Sequence, residues 1–352
     1  MSSLASKLTA RPSRNEAAAA PPSLRFDWAA TLLGLWLVGG LYLDGWAHTH
    51  GRVDQSVFTP WHGVLYSGFL ALAALYVLTL ARNHSADMNW RRALPPGYDL
   101  SLLGVGIFVA GGVGDTIWHL ILGIEMSVDA LYSPTHLGLA LGGVLMITGP
   151  IRSAFLRQDL PDRWSSRVPV VLSLTLVLSV FTFFSQIVHP LVNPEADGAA
   201  PGDARLTFLN QALGVAGIML QSIILVGIIL LAARRIRLPF GSFILILGAN
   251  AAGLSVLSRT TPTSVILAAV VAGLVADLLL RWLDVHPGSD ARSLRVFAFA
   301  VPSVYYLLYF LALLITTGVW WSVHLWMGSV ILAGIVAWLL AYLVTAPTAD
   351  PS

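Results

Sequence analysis

The chain has 352 residues, of which 56% are hydrophobic and only 11% are charged, with a formal net charge of +2. Soluble domains carry about 25% charged residues, so this composition excludes an ordinary soluble protein, and no basic cluster points to a nucleic-acid partner. The sequence has no cysteine, which excludes disulfides, thiolate metal sites and cysteine nucleophiles.

The apolar residues come in runs of roughly 20, the length that an α-helix needs to cross about 30 Å of hydrocarbon. Strict alternation of polar and apolar residues is absent, which argues against a transmembrane barrel. The sequence therefore predicts an all-α, polytopic integral membrane bundle of about ten transmembrane helices, embedded in a lipid bilayer. The predicted spans lie near residues 28–48, 60–82, 99–122, 134–156, 168–191, 206–233, 240–257, 262–283, 295–317 and 321–345.

These spans divide the chain into four parts. Residues 1–26 are rich in Ala, Pro and Ser, which is typical of a disordered tail, and residues 346–352 predict a second tail. Residues 27–157 predict a duplicated helical hairpin that holds the candidate site. Residues 158–345 are interpreted as further membrane helices that serve as a scaffold or as the surface for a membrane-protein partner.

Basic residues alternate along the loops between the predicted spans. Arg and Lys cluster before the first span and after the second, fourth, sixth and eighth, whereas the intervening loops are richer in Asp and Glu. Because loops rich in Arg and Lys stay on the cytoplasmic side, this alternation predicts a cytoplasmic N-terminus in the plasma membrane. It also predicts that most histidines lie near the outer face, namely His48, His50, His62, His119, His136, His189 and His324.

Two segments carry the same polar residues in the same order. Each has Asp-x-x-x-His near the end of one predicted span and Thr/Ser-Pro-x-His at the start of the next. Residues four apart lie on one face of a helix, and a hydroxyl residue followed by proline is typical of a helix start. Each hairpin is therefore predicted to gather one carboxylate and two imidazoles at its outer corner. The two sets are Asp44, His48 and His62 in the first copy, and Asp115, His119 and His136 in the second.

This set of side chains suits a transition metal ion. Imidazole binds copper, zinc, iron and nickel, and carboxylate adds a hard oxygen ligand. The six residues can form one mononuclear site, one dinuclear site or two separate sites, or each aspartate can instead orient a histidine ring. A single Asp-x-x-x-His pair near the interface is more simply explained as a hydrogen-bonded helix end, but the repeat favours a metal site.

Other polar residues have simpler interpretations. His50 is expected at a loop surface, His189 is expected to cap or border a helix end, and His324 lies among the tryptophans of an aromatic belt. Asp277 and Arg281 are four apart, which predicts an ion pair on a helix face.

The Asp-x-x-x-His motif with a downstream His on paired membrane helices resembles the metal site of the C subunit of particulate methane and ammonia monooxygenases. The resemblance implies that one aspartate and two histidines bind copper. This chain differs from that subunit in that the motif is doubled and more spans are predicted. The matching residues are Asp115, His119 and His136, and again Asp44, His48 and His62.

Three classes of function remain open. The first is a metallo-oxidase or monooxygenase of a hydrophobic small molecule, with copper favoured and zinc or iron as alternatives. The second is a non-catalytic metal protein that senses, receives or helps to transport a metal, although carriers usually bind their cargo near the bilayer midplane. The third is haem electron transfer, which explains the histidines but leaves the paired aspartates without a role.

Overall fold

The protein is described by a computed structural model in which the placed residues form twelve α-helices. The described residues are 23–52, 59–83, 93–123, 128–157 and 163–345. The helices are α1 Leu24–Thr49, α2 Pro60–Asn83, α3 Asp99–Leu122, α4 Asp129–Tyr132, α5 Pro134–Ile147, α6 Gly149–Phe155, α7 Trp164–Phe184, α8 Ala204–Ala233, α9 Ser242–Leu257, α10 Thr263–Trp282, α11 Ala291–Thr316 and α12 Val323–Val344. The predicted tails fall outside the described residues, except that α1 already begins within the segment assigned to the first tail.

Each of the ten predicted spans overlaps one or two of these helices, but not all of them are long enough to cross a membrane. Among the described residues, eight helices are long and apolar enough to cross a membrane. The fourth predicted span is divided into α5 and α6, which are bent by 40° and make a ninth crossing if they count as one span. The seventh predicted span, α9, has only 16 residues. The protein is thus a polytopic helical bundle, in which the described residues form eight helices of membrane-spanning length, one bent pair and one short apolar helix, where about ten spans were predicted.

The bend between α5 and α6 has a local cause. Pro150 lies in the first turn of α6, where it cannot donate a backbone hydrogen bond to the preceding turn. The hydroxyl of Thr148 donates to the carbonyl of Val144 at 2.9 Å, an interaction that also bends helices. Gly149 between them lies against the ring of Tyr98, which leaves no space for a side chain.

The short helix α9 begins where a buried carboxylate of α10 accepts its first amides. Asp277 is fully buried and accepts hydrogen bonds from the backbone N–H groups of Phe243 at 3.2 Å and Ile244 at 3.1 Å. Arg281 lies over the ring of Phe240, 4.7 Å from its centroid. Asp277 therefore has a role other than the predicted ion pair, because the first amides of a buried helix need an acceptor.

We expect Asp277→Ala to lose about 1–3 kcal/mol of folding free energy, because buried backbone amides would be left without an acceptor. Thermal unfolding in detergent micelles measures the change. Asp203 accepts from Leu206 N–H at the exposed start of α8, so Asp203→Ala is the control and should lose less, since water can replace the carboxylate. Equal losses in the two variants would argue against this role of Asp277.

The first helices form two hairpins that pack on a central helix. Helix α1 packs against α2, and α3 packs against α5. Helix α7 is largely buried and contacts α1, α5 and α6 on one side and α8 and α9 on the other. The remaining helices pack in the order α9, α10, α11, α12 and α8. Helix α7 thus lies between the two hairpins and the rest of the bundle.

Glycines bring the helices of each hairpin close together. A Cβ atom added to Gly40 of α1 would lie 2.6 Å from the Cα of Leu65 in α2, and one added to Gly68 of α2 would lie 2.8 Å from the Cα of Leu37 in α1. Both distances are too short for non-bonded carbon atoms. Small residues let membrane helices approach closely, so these two glycines set the register of α1 against α2.

Helices α3 and α5 have an equivalent contact. A Cβ atom added to Gly111 of α3 would lie 3.0 Å from the backbone nitrogen of Leu139 in α5, and one added to Gly142 of α5 would lie 2.7 Å from the backbone nitrogen of Phe108 in α3. As in the first hairpin, each helix contributes one glycine that lies against the backbone of the other helix. The register of the second hairpin is therefore set in the same manner as that of the first.

Candidate metal centre

The first triad consists of Asp44, His48 and His62, where α1 ends and α2 begins. Asp44 Oδ2 lies 3.8 Å from His48 Nε2 and 3.5 Å from His62 Nε2. The hydroxyl oxygen of Thr59 accepts from the backbone N–H of His62 at 3.2 Å and lies 3.0 Å from its Nδ1 atom, which fixes this imidazole at the helix start. Asp44 Oδ1 is buried and has no hydrogen-bond partner among the described residues.

The second triad consists of Asp115, His119 and His136, where α3 ends and α5 begins. Asp115 Oδ2 lies 3.4 Å from His119 Nε2, and Asp115 Oδ1 lies 3.2 Å from His136 Nε2. The hydroxyl of Thr135 donates to Asp115 Oδ1 at 2.8 Å. The Nδ1 atom of His119 lies 3.2 Å from the carbonyl oxygen of Gly123, to which it can only donate. This tautomer leaves the Nε2 lone pair directed at the triad.

Both triads occupy the same positions relative to their helix pairs. In each copy a hydroxyl residue three positions before the second histidine caps that helix and accepts the histidine N–H. In each copy the close-contact glycines lie four positions before the aspartate and six positions after the second histidine. The capping residues are Thr59 and Ser133, and the glycines are Gly40, Gly68, Gly111 and Gly142. The register of each helix pair therefore places its three side chains.

The donor atoms of each triad have the spacing of metal ligands. One ligand atom from each residue lies within 4.8 Å of the other two, in each group of three. Two donors that bind a tetrahedral ion at about 2.0–2.2 Å are roughly 3.4 Å apart, whereas an N–H···O hydrogen bond spans about 2.7–3.2 Å. Three of the four Asp–His distances, at 3.8, 3.5 and 3.4 Å, exceed the hydrogen-bond range. The buried Asp44 Oδ1 is a further acceptor that a cation would satisfy.

The six predicted ligands fall into two groups of three that line one cavity of about 710 Å³. Asp44 of the first triad interacts electrostatically with His136 of the second. Tyr66 lines the same cavity, with its ring centroid 6.3 Å from that of His62, and interacts electrostatically with both Asp44 and Asp115. The apolar part of the wall includes Leu37, Val38, Phe108, Leu139, Val180 and Phe183. The geometry thus favours two neighbouring sites over one shared by all six side chains.

The other histidines near this end of the bundle lie outside both groups. His50 Nδ1 lies 2.9 Å from the carbonyl of Trp46, and the two rings are stacked. His324 is exposed in the first turn of α12. His189 is buried after α7, and its Nδ1 accepts the backbone N–H of Leu191 at 3.1 Å. His189 therefore orders a turn.

Burial lowers the pKa of His189 to about 3. An unfolded histidine has a pKa near 6.5, so below this pH the unfolded chain binds a proton that the folded chain excludes. Stability from this residue is therefore complete above pH 6.5 and falls by up to about 1.4 kcal/mol per pH unit as the pH drops towards 3. We expect His189→Asn, which keeps an acceptor for Leu191 but does not titrate, to reduce the fall in unfolding temperature between pH 7 and pH 5. His324→Asn is the exposed control and should keep the wild-type fall, and a wild-type fall in His189→Asn would contradict the assignment.

Two residues of the site were missed by sequence reasoning. Tyr66 follows His62 by four positions, so the helical period places both on one face of α2 and could have indicated it. Thr135 occupies the variable position of Ser-Pro-x-His, where the first copy has Trp61. A comparison of the two copies at that position would have shown an extra hydroxyl beside the second aspartate.

Comparisons of the chain with protein-family models, with curated proteins and with solved structures find no match. The likeness to the C subunit of the methane and ammonia monooxygenases thus stays a prediction from the motif. A functional proposal for this protein depends on the geometry of the triads and their cavity.

Proposed function

We propose that this protein is a membrane metalloprotein that binds a transition metal ion at each triad. The observation that carries the proposal is that two triads, each of one carboxylate and two imidazoles, line a single cavity. The Asp–His distances within the triads are 3.2–3.8 Å. These ligands suit copper, zinc or iron, and the likeness to the monooxygenase C subunit favours copper. The aspartates and histidines hold the ions, and a bound ion supplies Lewis-acid or redox chemistry.

We further infer that the hairpins within residues 27–157 are two copies of one unit. The support is positional: the capping hydroxyl, both ligand histidines, the aspartate and both close-contact glycines recur at the same offsets. Such a duplication explains why two triads face one cavity, because two copies packed side by side bring their equivalent ends together. On this proposal residues 158–345 are the scaffold and a surface for a membrane-protein partner.

The proposed orientation places the triads at the outer face of the plasma membrane. Most arginines of the described residues lie at the opposite ends of the helices, for example Arg82, Arg152 and Arg281, whereas Arg52, Arg205 and Arg259 are at the triad end. Segments rich in arginine stay in the cytoplasm. This distribution supports a cytoplasmic N-terminus and triads that open towards the outside.

A metallo-oxidase or monooxygenase of a small hydrophobic molecule is the activity we propose for this site. The cavity of about 710 Å³ extends well beyond the six ligands, and much of its wall is apolar. Substrate pockets combine an apolar wall with a few polar groups, whereas a protein that only receives a metal needs no such volume. A non-catalytic metal receiver or sensor is the alternative that uses the same ligands.

Metal analysis of the purified full-length protein tests the proposal. We expect the wild type to carry Cu, Zn or Fe, and the Asp115→Ala/His119→Ala variant to lose at least about half of it, because the second triad loses two of its three ligands. The His324→Ala variant removes an exposed histidine outside both triads and should keep the wild-type content. Wild-type protein without transition metal, even after incubation with Cu(II) or Zn(II), would overturn the proposal, and a Soret absorbance band would instead support haem binding.

A further inference from the structure

We propose that the two triads hold their metal ions unequally: the second triad is a tight, permanent site and the first is a weaker site whose ion exchanges. The inference rests on the proposed function, since it assumes that both triads bind metal. The two triads have the same three residue types, but the neighbouring residues that contact them differ. The inference follows from these differences. Hydrogen bonds to metal ligands orient them before the ion binds, and their loss typically lowers affinity roughly 10–100-fold.

In the second triad both the aspartate and the first histidine have hydrogen-bond partners outside the triad. Thr135 donates to Asp115 Oδ1, and the Nδ1 atom of His119 donates to the carbonyl of Gly123. The two carboxylate oxygens also face different imidazoles, since Oδ1 lies near His136 and Oδ2 near His119. The side chains of His119 and Asp115 are only 11% and 7% exposed. This triad is therefore arranged in advance of metal binding, and its aspartate and first histidine are shielded, whereas His136 and His62 are almost equally exposed at 23% and 24%.

In the first triad His62 is held, since its Nδ1 atom lies 3.0 Å from Thr59 Oγ1, but among the described residues Asp44 and His48 have no partners equivalent to Thr135 and Gly123. Trp61 occupies the position of Thr135, and its Nε1 atom donates to the carbonyl of Arg52 at 3.3 Å, so it provides no hydroxyl for the carboxylate. Both imidazoles face the same oxygen, Asp44 Oδ2, and Oδ1 has no hydrogen-bond partner among the described residues. His48 is 38% exposed, and its Nδ1 atom has no hydrogen bond within the part of the chain that the structure describes.

The missing partners of Asp44 and His48 lower the affinity of the first triad for an ion, and the exposure of His48 makes that ion more accessible to solvent. A ligand that is not held by a second hydrogen bond loses conformational freedom when the ion binds, which weakens binding. An exposed imidazole also gives water and chelators a path to the ion. The ion in the first triad is therefore the one that an external ligand reaches, and the ion in the second triad stays in place during exchange.

Titration of metal-free protein with Zn(II) against a chromophoric chelator tests the inference. The full-length protein in detergent should bind two ions per chain in two phases, with dissociation constants that differ by roughly tenfold or more. Asp44→Ala should remove the weak phase alone, and Asp115→Ala the tight phase alone. Because alanine variants can misfold, each is checked by its unfolding temperature and repeated as the isosteric Asp→Asn variant.

Substitutions at the paired positions separate this inference from the proposed function. Thr135→Val should weaken the tight phase roughly 10–100-fold, Thr135→Ser should restore it, and Trp61→Thr should tighten the weak phase. Two ions bound with equal affinity, or a tight phase that disappears in Asp44→Ala, would overturn the inference and leave the metal sites intact. Absence of binding in the wild type would overturn the proposed function as well.

Discussion

Asp27→Ala is expected to destabilise the folded protein by about 3 kcal/mol, because it leaves a largely buried guanidinium without its carboxylate. Asp27 is buried in the first turn of α1, where it pairs with Arg157 and accepts from the hydroxyl of Tyr98 at 2.6 Å. Arg157 also donates to Ser153 Oγ at 2.9 Å, so it is held against the bundle when the carboxylate is removed. Unfolding in detergent micelles by heat or denaturant measures the loss.

A double variant distinguishes a lost ion pair from a general packing defect. Asp27→Ala/Arg157→Leu removes both charges, and we expect it to be clearly more stable than Asp27→Ala, since no uncompensated charge stays buried. Asp27→Asn keeps an acceptor for Tyr98 and should fall between the wild type and Asp27→Ala. If the double variant is as unstable as Asp27→Ala, the ion pair is not what stabilises this region.

This ion pair links the two hairpins at the end opposite the triads. Asp27 is on α1, Tyr98 immediately precedes α3, and Arg157 follows α6. The cavity depends on how these hairpins are placed against each other, because it is lined by residues of both. We therefore expect Asp27→Ala to weaken metal binding without any contact to a ligand.

Gly40→Ala is expected to destabilise the protein by about 1–3 kcal/mol, while Gly39→Ala should leave stability unchanged or raise it. The Cβ atom at position 40 would lie 2.6 Å from the Cα of Leu65, and backbone cannot move aside as a flexible side chain can. A Cβ atom at position 39 has no neighbour within 4 Å. The two variants add the same methyl group at adjacent positions of one helix, so they differ mainly in this contact.

The same pair of variants reports on the site. Asp44 lies one turn after Gly40, so a shift of α1 against α2 moves it relative to His62. We expect Gly40→Ala to weaken metal binding at the first triad and to spare the second, whose register depends on Gly111 and Gly142. Equal unfolding temperatures and equal metal affinities for the two variants would show that the close contact does not position the site.

The helices and the composition of each triad were predictable because both depend on local spacing. Apolar runs of sufficient length give the helices, and the four-residue interval from Asp44 to His48 puts both on one face. The hydroxyl-proline start before His62 fixes where the next helix begins. Each triad therefore needs only two helices that are close in the sequence, and local sequence patterns predict such arrangements well.

The remaining features depend on contacts between distant parts of the chain. Asp277 accepts the first amides of α9 from the next helix, a tertiary contact that the four-residue spacing of Asp277 and Arg281 does not indicate. Asp27 and Arg157 are 130 positions apart, so the spacing of residues along a helix cannot predict their contact. The common cavity likewise follows from how two hairpins pack. The bend of the α5–α6 pair is different, since Pro150 marks its position in the sequence itself.

The helix caps and close-contact glycines have a consequence for the connections between the ligands. His48 and Thr59 are separated by 10 residues, and His119 and Ser133 by 13, yet the Asp–His distances are similar, at 3.8 and 3.5 Å in the first triad and 3.4 and 3.2 Å in the second. The length of the connection is thus not what sets the positions of the triad side chains. An insertion in either connection should therefore leave the triad side chains where they are. These segments can be lengthened, for instance by a recognition sequence, while the helix pair that holds the triad stays unchanged.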